Sequence, residues 1–218
     1  MSSDHSTTTQ PAYVQHHFAN ATQQMESAKL GMWIFLLTEI LLFGGLFCAY
    51  AVYRSWYPEM FINAHKQLNV WLGATNTIVL ITSSLTMALA IWNMQHGRKG
   101  LTIMNLWITL ILAGTFLVIK YFEYAHKFHL GQLPGKYYTF QGIEGTNPHV
   151  FFSVYFLMTG LHGFHVMVGM GVILWMILRT RRNNFSTEYY TPLELTGLYW
   201  HLVDIIWIFL FPLLYLIA

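Results

Sequence analysis

Ionisable side chains are scarce in this sequence, so the few that interrupt its apolar runs stand out. Glu39 sits in Trp33-Ile34-Phe35-Leu36-Leu37-Thr38-Glu39-Ile40-Leu41-Leu42-Phe43 with no base near it in sequence. His162 and His165 are three residues apart in a second run, and His201 and Asp204 are three apart in a third. Lys120, Glu123 and Lys127 follow an i, i+3, i+7 spacing on a fourth, which places them on one helix face where Glu123 can meet either lysine. Charge in hydrocarbon is costly, so each of these groups needs a partner or a task. A carboxyl and several imidazoles at one depth can share or pass protons, or can simply satisfy each other and fix helix packing; both readings stay open. Heme ligation is the third. His162 and His165 lie on one helix, and a heme between two helices needs an imidazole from the opposite side, which only His201 could supply. Three intramembrane histidines are too few for a heme and a heme–copper centre together, so this chain is not expected to hold an oxygen-reducing site.

The elements that carry these residues follow from composition. Of the 218 residues 55% are hydrophobic and only 9% charged, against about 25% charged in soluble domains. A soluble protein this poor in charge could not cover its own surface, which excludes the soluble enzyme folds, disordered chains and disulfide scaffolds. The net charge of +2 argues for no nucleic-acid partner, and the single Cys48 can form no internal disulfide. Backbone amides in a bilayer need internal partners, so long apolar runs must be helical. Five are read: about Leu30–Tyr53, Val70–Met94, Leu101–Ala125, His149–Leu178 and Leu195–Ile217. The expected fold is therefore all-α, a polytopic membrane bundle of five transmembrane helices. Residues 1–29 are read as a polar tail on the cytoplasmic side and 30–218 as the transmembrane domain.

Lysine and arginine set the orientation. With the N-terminus inside, Lys29, Arg98, Lys99, Arg179, Arg181 and Arg182 face inward, and Arg54, Lys66, Lys127 and Lys136 face outward. At about 1.5 Å per residue, Glu39 lies roughly 12 Å from the inner boundary, Asp204 about 12–13 Å and His201 about 8–9 Å. His162 and His165 fall roughly 18–24 Å from the outer end, so all five share one layer in the inner half. Lys120, Glu123 and Lys127 are expected near the outer end, where long stems can reach water. Gly160, Gly163 and Gly171 share an arc of the fourth span and are expected to admit a close helix neighbour, with Gly169 facing the other way. An Asp204–His201 hydrogen bond is expected from their spacing, and Pro212 should loosen the last turns of the fifth span.

Three of these segments together resemble subunit III of the heme–copper oxidases. Leu30-Gly31-Met32-Trp33 through Phe43 is similar to that family's glutamate-bearing helix. Gly160-Leu161-His162-Gly163-Phe164-His165-Val166 resembles its Gly-x-His-Gly-x-His-Val motif, and Tyr199-Trp200-His201-Leu202-Val203-Asp204-Ile205-Ile206-Trp207 its Trp-His-x-Val-Asp-x-x-Trp ending. Asn76-Thr77, the basic turn at Arg98-Lys99 and Glu123-Tyr124 follow in the family's order, so the likeness runs from about Lys29 to the C-terminus.

The resemblance implies an accessory subunit of a cytochrome c oxidase in an aerobic bacterial cytoplasmic membrane, with its N-terminus cytoplasmic and its C-terminus periplasmic. It would bind no heme or copper itself. Those cofactors would sit in partner subunits I and II, with further respiratory-complex subunits and membrane lipids as neighbours. Its role would be to help proton supply and keep subunit I active through many turnovers. Catalytic and metal-binding residues are then expected to be none. Glu39 would match the family's carbodiimide-reactive carboxylate, and Arg179 would contact the phosphate of a bound phospholipid. The sequence has five spans where the larger family form has seven, which leaves one wall of the family's lipid cleft to another subunit or leaves the cleft open. A quinol oxidase subunit III and an accessory protein of nitric oxide reduction carry the same motifs and remain alternatives.

Overall fold

The computed structural model describes residues 13–143 and 147–217. Met1–Ala12, the first part of the expected tail, lies outside the described residues. Six α-helices follow: α1 Ala21–Trp56, α2 Pro58–His65, α3 Val70–Gln95, α4 Lys99–His129, α5 His149–Arg181 and α6 Thr191–Tyr215. All but the short α2 are long and apolar enough to cross a membrane. The architecture is the all-α, five-span bundle expected from composition.

Each boundary has a local cause. Asn20 caps α1 by accepting from the Gln23 amide, so the helix starts at Ala21 and takes in the last nine residues of the expected tail. Asn69 caps α3 in the same way, accepting from the Trp71 and Leu72 amides. Three helices end on one device. Gly97, Gly131 and Asn183 adopt left-handed backbone just past α3, α4 and α5. At each, paired amides turn back onto the helix: Gly97 and Arg98 onto Met94 and Asn93, Gly131 and Gln132 onto Phe128 and Lys127, and Asn183 and Asn184 onto Thr180 and Arg179. These are Schellman closures, and glycine adopts that conformation without steric cost. Pro212 falls inside α6, which ends three residues later.

The chain crosses back and forth, giving one end that holds residues 13–20 and the α3–α4 and α5–α6 turns (the N-side) and an opposite C-side end. Helices α3, α4, α5 and α6 pack as a closed ring, each against the next, and α1 leans on α5 and α6 from outside. Accordingly α1 is the least buried span and α6 the most. Lipid tails are as apolar as leucine, so association rests on close packing and interhelical hydrogen bonds. The Thr86 and Thr109 hydroxyls meet at 2.7 Å between α3 and α4. The indoles of Trp200 and Trp207 donate to Ser83 and Thr77, both at 3.1 Å, joining α6 to α3. The Tyr124 and Thr159 hydroxyls join α4 to α5 at 2.5 Å. Tyr50 of α1 donates to the Leu213 carbonyl, one of the orphan acceptors in the last turn of α6.

Close approach occurs at glycines other than those expected. A Cβ at Gly171 would meet nothing within 4 Å, and one at Gly160 or Gly163 only a single atom at 3.8 or 4.0 Å. At Gly169 it would lie 2.8 Å from two carbons of the Trp200 ring, and at Gly73 it would lie 2.7 Å from Phe211. Aromatic rings of α6 claim the space that these glycines open, so α6 rather than the arc of Gly160, Gly163 and Gly171 sets the tight contacts of α5.

Candidate functional site: an imidazole–carboxyl pair and a buried ion network

The helices place the expected polar residues in three separate settings rather than one cluster. The first joins α1 to α5. Glu39 Oε2 lies 2.9 Å from His165 Nε2, and His165 Nδ1 lies 2.8 Å from the Leu161 carbonyl. A carbonyl can only accept, so Nδ1 carries a hydrogen. One further proton must then lie between Nε2 and Oε2, on whichever atom holds it. The pair is neutral overall in either arrangement, which is what a low-dielectric setting requires. Both side chains keep a small exposed edge, 15% for Glu39 and 11% for His165. Tyr199 of α6 donates to the His165 carbonyl at 3.0 Å, and Phe43 packs edge-on against the imidazole. Three helices therefore meet at this residue, with α1 and α5 holding the ring and α6 the backbone.

The second setting is His162, one turn away on α5 but fully enclosed. Its ring lies between Phe116 of α4 and Trp207 of α6, with centroids 5.4 and 5.3 Å away. Neither nitrogen bonds to a described residue. The third setting lies between α3 and α6. His201 Nδ1 meets the Ser84 hydroxyl at 2.6 Å. The expected Asp204–His201 hydrogen bond is absent: His201 bonds to Ser84 of α3, and neither carboxyl oxygen of the buried Asp204 has a hydrogen-bond partner among the described residues. The carboxyl of Asp204 lies on the same α3 side, near Ser83 and Ser84, without a hydrogen bond to either.

The ion network of α4 is built more elaborately than its spacing implied. Lys120 Nζ donates to Glu123 Oε2 at 2.9 Å and to the Tyr215 hydroxyl at 2.7 Å. Tyr215 and Tyr155 both donate to Glu123 Oε1, at 2.5 and 2.9 Å. The ammonium also lies 4.7 Å from the Trp207 ring centroid. Lys120, Glu123 and Lys127 are only 7, 5 and 2% exposed. Their stems do not reach outward to water as expected; the three face the ring of helices, and α5 and α6 supply the aromatic hydroxyls and faces that compensate them. Tyr155, Tyr215, Ser83 and Ser84 were not singled out from sequence. The usable signal was a phenol or indole inside an apolar run, whose polar tip needs a partner.

At the N-side end, the Arg179 guanidinium lies over the rings of Trp175 and Phe185, at 5.1 and 5.4 Å. Lys29 of α1 pairs with Glu194 of α6 at 3.2 Å, and Tyr13 stacks on Tyr189 at 4.6 Å. These contacts fasten the start of α1, the loosest helix, to the α5–α6 turn.

The imidazoles do not converge on a common centre. His165 has both nitrogens engaged, His201 is turned to Ser84, and His162 is enclosed by aromatic rings. Among the described residues no three His, Cys, Asp or Glu side chains gather to hold a metal ion.

Comparison with known proteins agrees with the motifs. A family model described as cytochrome c oxidase subunit III matches residues 7–218. The chain is 33% identical to a cytochrome c oxidase subunit 3 of Thermostichus vulcanus over 209 residues, 91% of this chain and 92% of that one. It is 33% identical to a cytochrome c oxidase subunit 3 of a Synechocystis species over 223 residues, covering 100% and 85%. It is 30% identical to a probable quinol oxidase subunit 3 of Staphylococcus epidermidis over 201 residues, covering 90% and 92%. With five helices able to span a bilayer and a match over nearly its whole length, the chain belongs to the cytochrome c oxidase subunit III family and is a multi-pass membrane subunit III of a heme–copper oxidase.

Proposed function

We propose that this chain is a non-catalytic supporting subunit of an aerobic respiratory oxidase that takes electrons from cytochrome c. It would pack against subunit I, with subunit II alongside, and preserve the catalytic subunit through repeated turnover. The observation that carries this reading is the Glu39–His165 pair. A carboxyl and an imidazole share a proton on the exposed side of the bundle, at the helix with the fewest internal neighbours. That surface is free to pack against another subunit, and the pair holds a proton there without carrying net charge.

The relatives named cytochrome c oxidase at 33% identity favour cytochrome c as donor over quinol. The quinol-type relatives keep quinol as the second reading. The dispersal of the three imidazoles supports placing heme and copper in the partner chains. Arg179, flanked by two rings and placed in the basic last turn of α5, suits the phosphate of a phospholipid. The excess of basic residues at the N-side end supports a cytoplasmic N-terminus and a periplasmic C-terminus in a bacterial inner membrane.

Purification under mild detergent tests the reading. The isolated chain is expected to be colourless, and the intact complex to contain a subunit with a dinuclear copper domain. A Soret band with one heme per isolated chain would overturn the supporting role. A complex without a copper-bearing subunit would move the donor to quinol.

A further inference from the structure

At the C-side end, the α2–α3 connection and the last turns of α4 line an open cavity of about 510 Å³. Its lining is unusual in charge. Lys127 is buried to 2% exposure, yet its ammonium has one hydrogen bond, a 3.3 Å contact to the Gln67 carbonyl. Its other neighbours are the faces of Phe152 and Tyr155, each 5.5 Å away. The carboxylate of Glu123 also lines the cavity, but Lys120 holds one oxygen and two tyrosines hold the other. No carboxylate of the described residues lies within ion-pair reach of Lys127.

The other polar lining residues add positive charge or neutral donors. Lys66 reaches the cavity with its ammonium on the Asn63 side-chain oxygen at 3.2 Å, and His126 stands one residue before Lys127. The first turn of α3, Asn69 to Leu72, points the positive end of that helix at the same space. Beside the charged lining, Leu72 and Phe122 present exposed apolar side chains along α3 and α4. A buried ammonium without a direct ion pair is costly, and a bound anion offsets that cost.

We propose that this cavity binds a phosphate-class anion, either the headgroup of an anionic phospholipid or free inorganic phosphate, with Lys127 and Lys66 as its main contacts. The apolar wall continues from the charged lining in the direction a lipid tail would take. The site is at the opposite end of the bundle from Arg179, and the proposal rests on the cavity alone, not on the oxidase reading.

Native mass spectrometry tests it on the purified protein with the subunits that accompany it. One sample is equilibrated with vesicles of phosphatidylglycerol and phosphatidylcholine in equal amounts, and another is delipidated and given inorganic phosphate. The variants Lys127→Met and Lys66→Gln are compared with the unaltered chain. Loss of a charge-assisted contact lowers occupancy by about tenfold or more. Retention of one phosphatidylglycerol, lost in the variants while phosphatidylcholine is unchanged, assigns the site to lipid. Loss of a phosphate adduct without change in phosphatidylglycerol assigns it to free phosphate. Equal retention of both in all three proteins overturns the proposal. Should Lys127→Met fail to assemble, Lys66→Gln alters an exposed side chain and carries the test alone.

Discussion

Glu39 and His165 are joined across α1 and α5 at 2.9 Å, and the second nitrogen of that imidazole is committed to the Leu161 carbonyl. The contact therefore holds one proton between the two heavy atoms. Glu39→Gln keeps the hydrogen bond, since an amide N–H can donate to Nε2, but removes the acid. The expected outcome is normal assembly and a near-normal initial rate, with activity lost in fewer turnovers. Oxygen uptake followed to inactivation checks this. Immediate loss of all activity in a fully assembled complex would contradict it.

The Lys120–Glu123 pair is enclosed, with Tyr215 accepting from the lysine and donating to the carboxylate. Removing one partner strands a buried charge. Lys120→Met is expected to destabilise the protein by about 3–5 kcal/mol. Tyr215→Phe, which removes a hydroxyl but no charge, should cost about 1–3 kcal/mol. Combining Lys120→Met with Glu123→Leu should recover much of the loss, because neither member of the pair is left without the other. Thermal denaturation of the detergent-solubilised variants orders the three; a double variant weaker than Lys120→Met would refute the pairing.

The glycines of α5 should respond unequally. At Gly169 an added methyl meets the rigid Trp200 ring at 2.8 Å, whereas at Gly171 it meets nothing within 4 Å. Gly169→Ala is expected to cost about 1–3 kcal/mol through overpacking. Gly171→Ala should be neutral or slightly stabilising, as alanine is the better helix former. Yields of folded protein and melting temperatures of the two variants provide the comparison, and equal effects would contradict the packing described.

Much of the fold was legible because a bilayer leaves the chain few options. The apolar runs had to be helices, and their number and order follow directly. Boundaries were less legible: Asn20 starts α1 in a polar stretch that reads as a tail, since the cap acts through one side chain and leaves no trace in hydropathy. At the site, the residue types were readable and their partners were not. His165 could be seen to need a counterpart, but its pairing with Glu39 spans 126 residues. His201 chose Ser84 over the nearby Asp204 because the rotation of α6 in the ring decides where each side chain points. The same rotation sends Trp200 into the gap at Gly169, a contact that spacing on α5 alone does not encode.

The supporting role is tested most directly by an oxidase assembled without this chain. Heme content per catalytic subunit and oxygen consumption are followed from the first turnovers to inactivation. The account predicts unchanged heme content, an initial rate largely kept, and a markedly shortened active lifetime that returns when the chain is restored. Loss of heme in step with the missing chain, or a complex that is inactive from the first turnover, would contradict it.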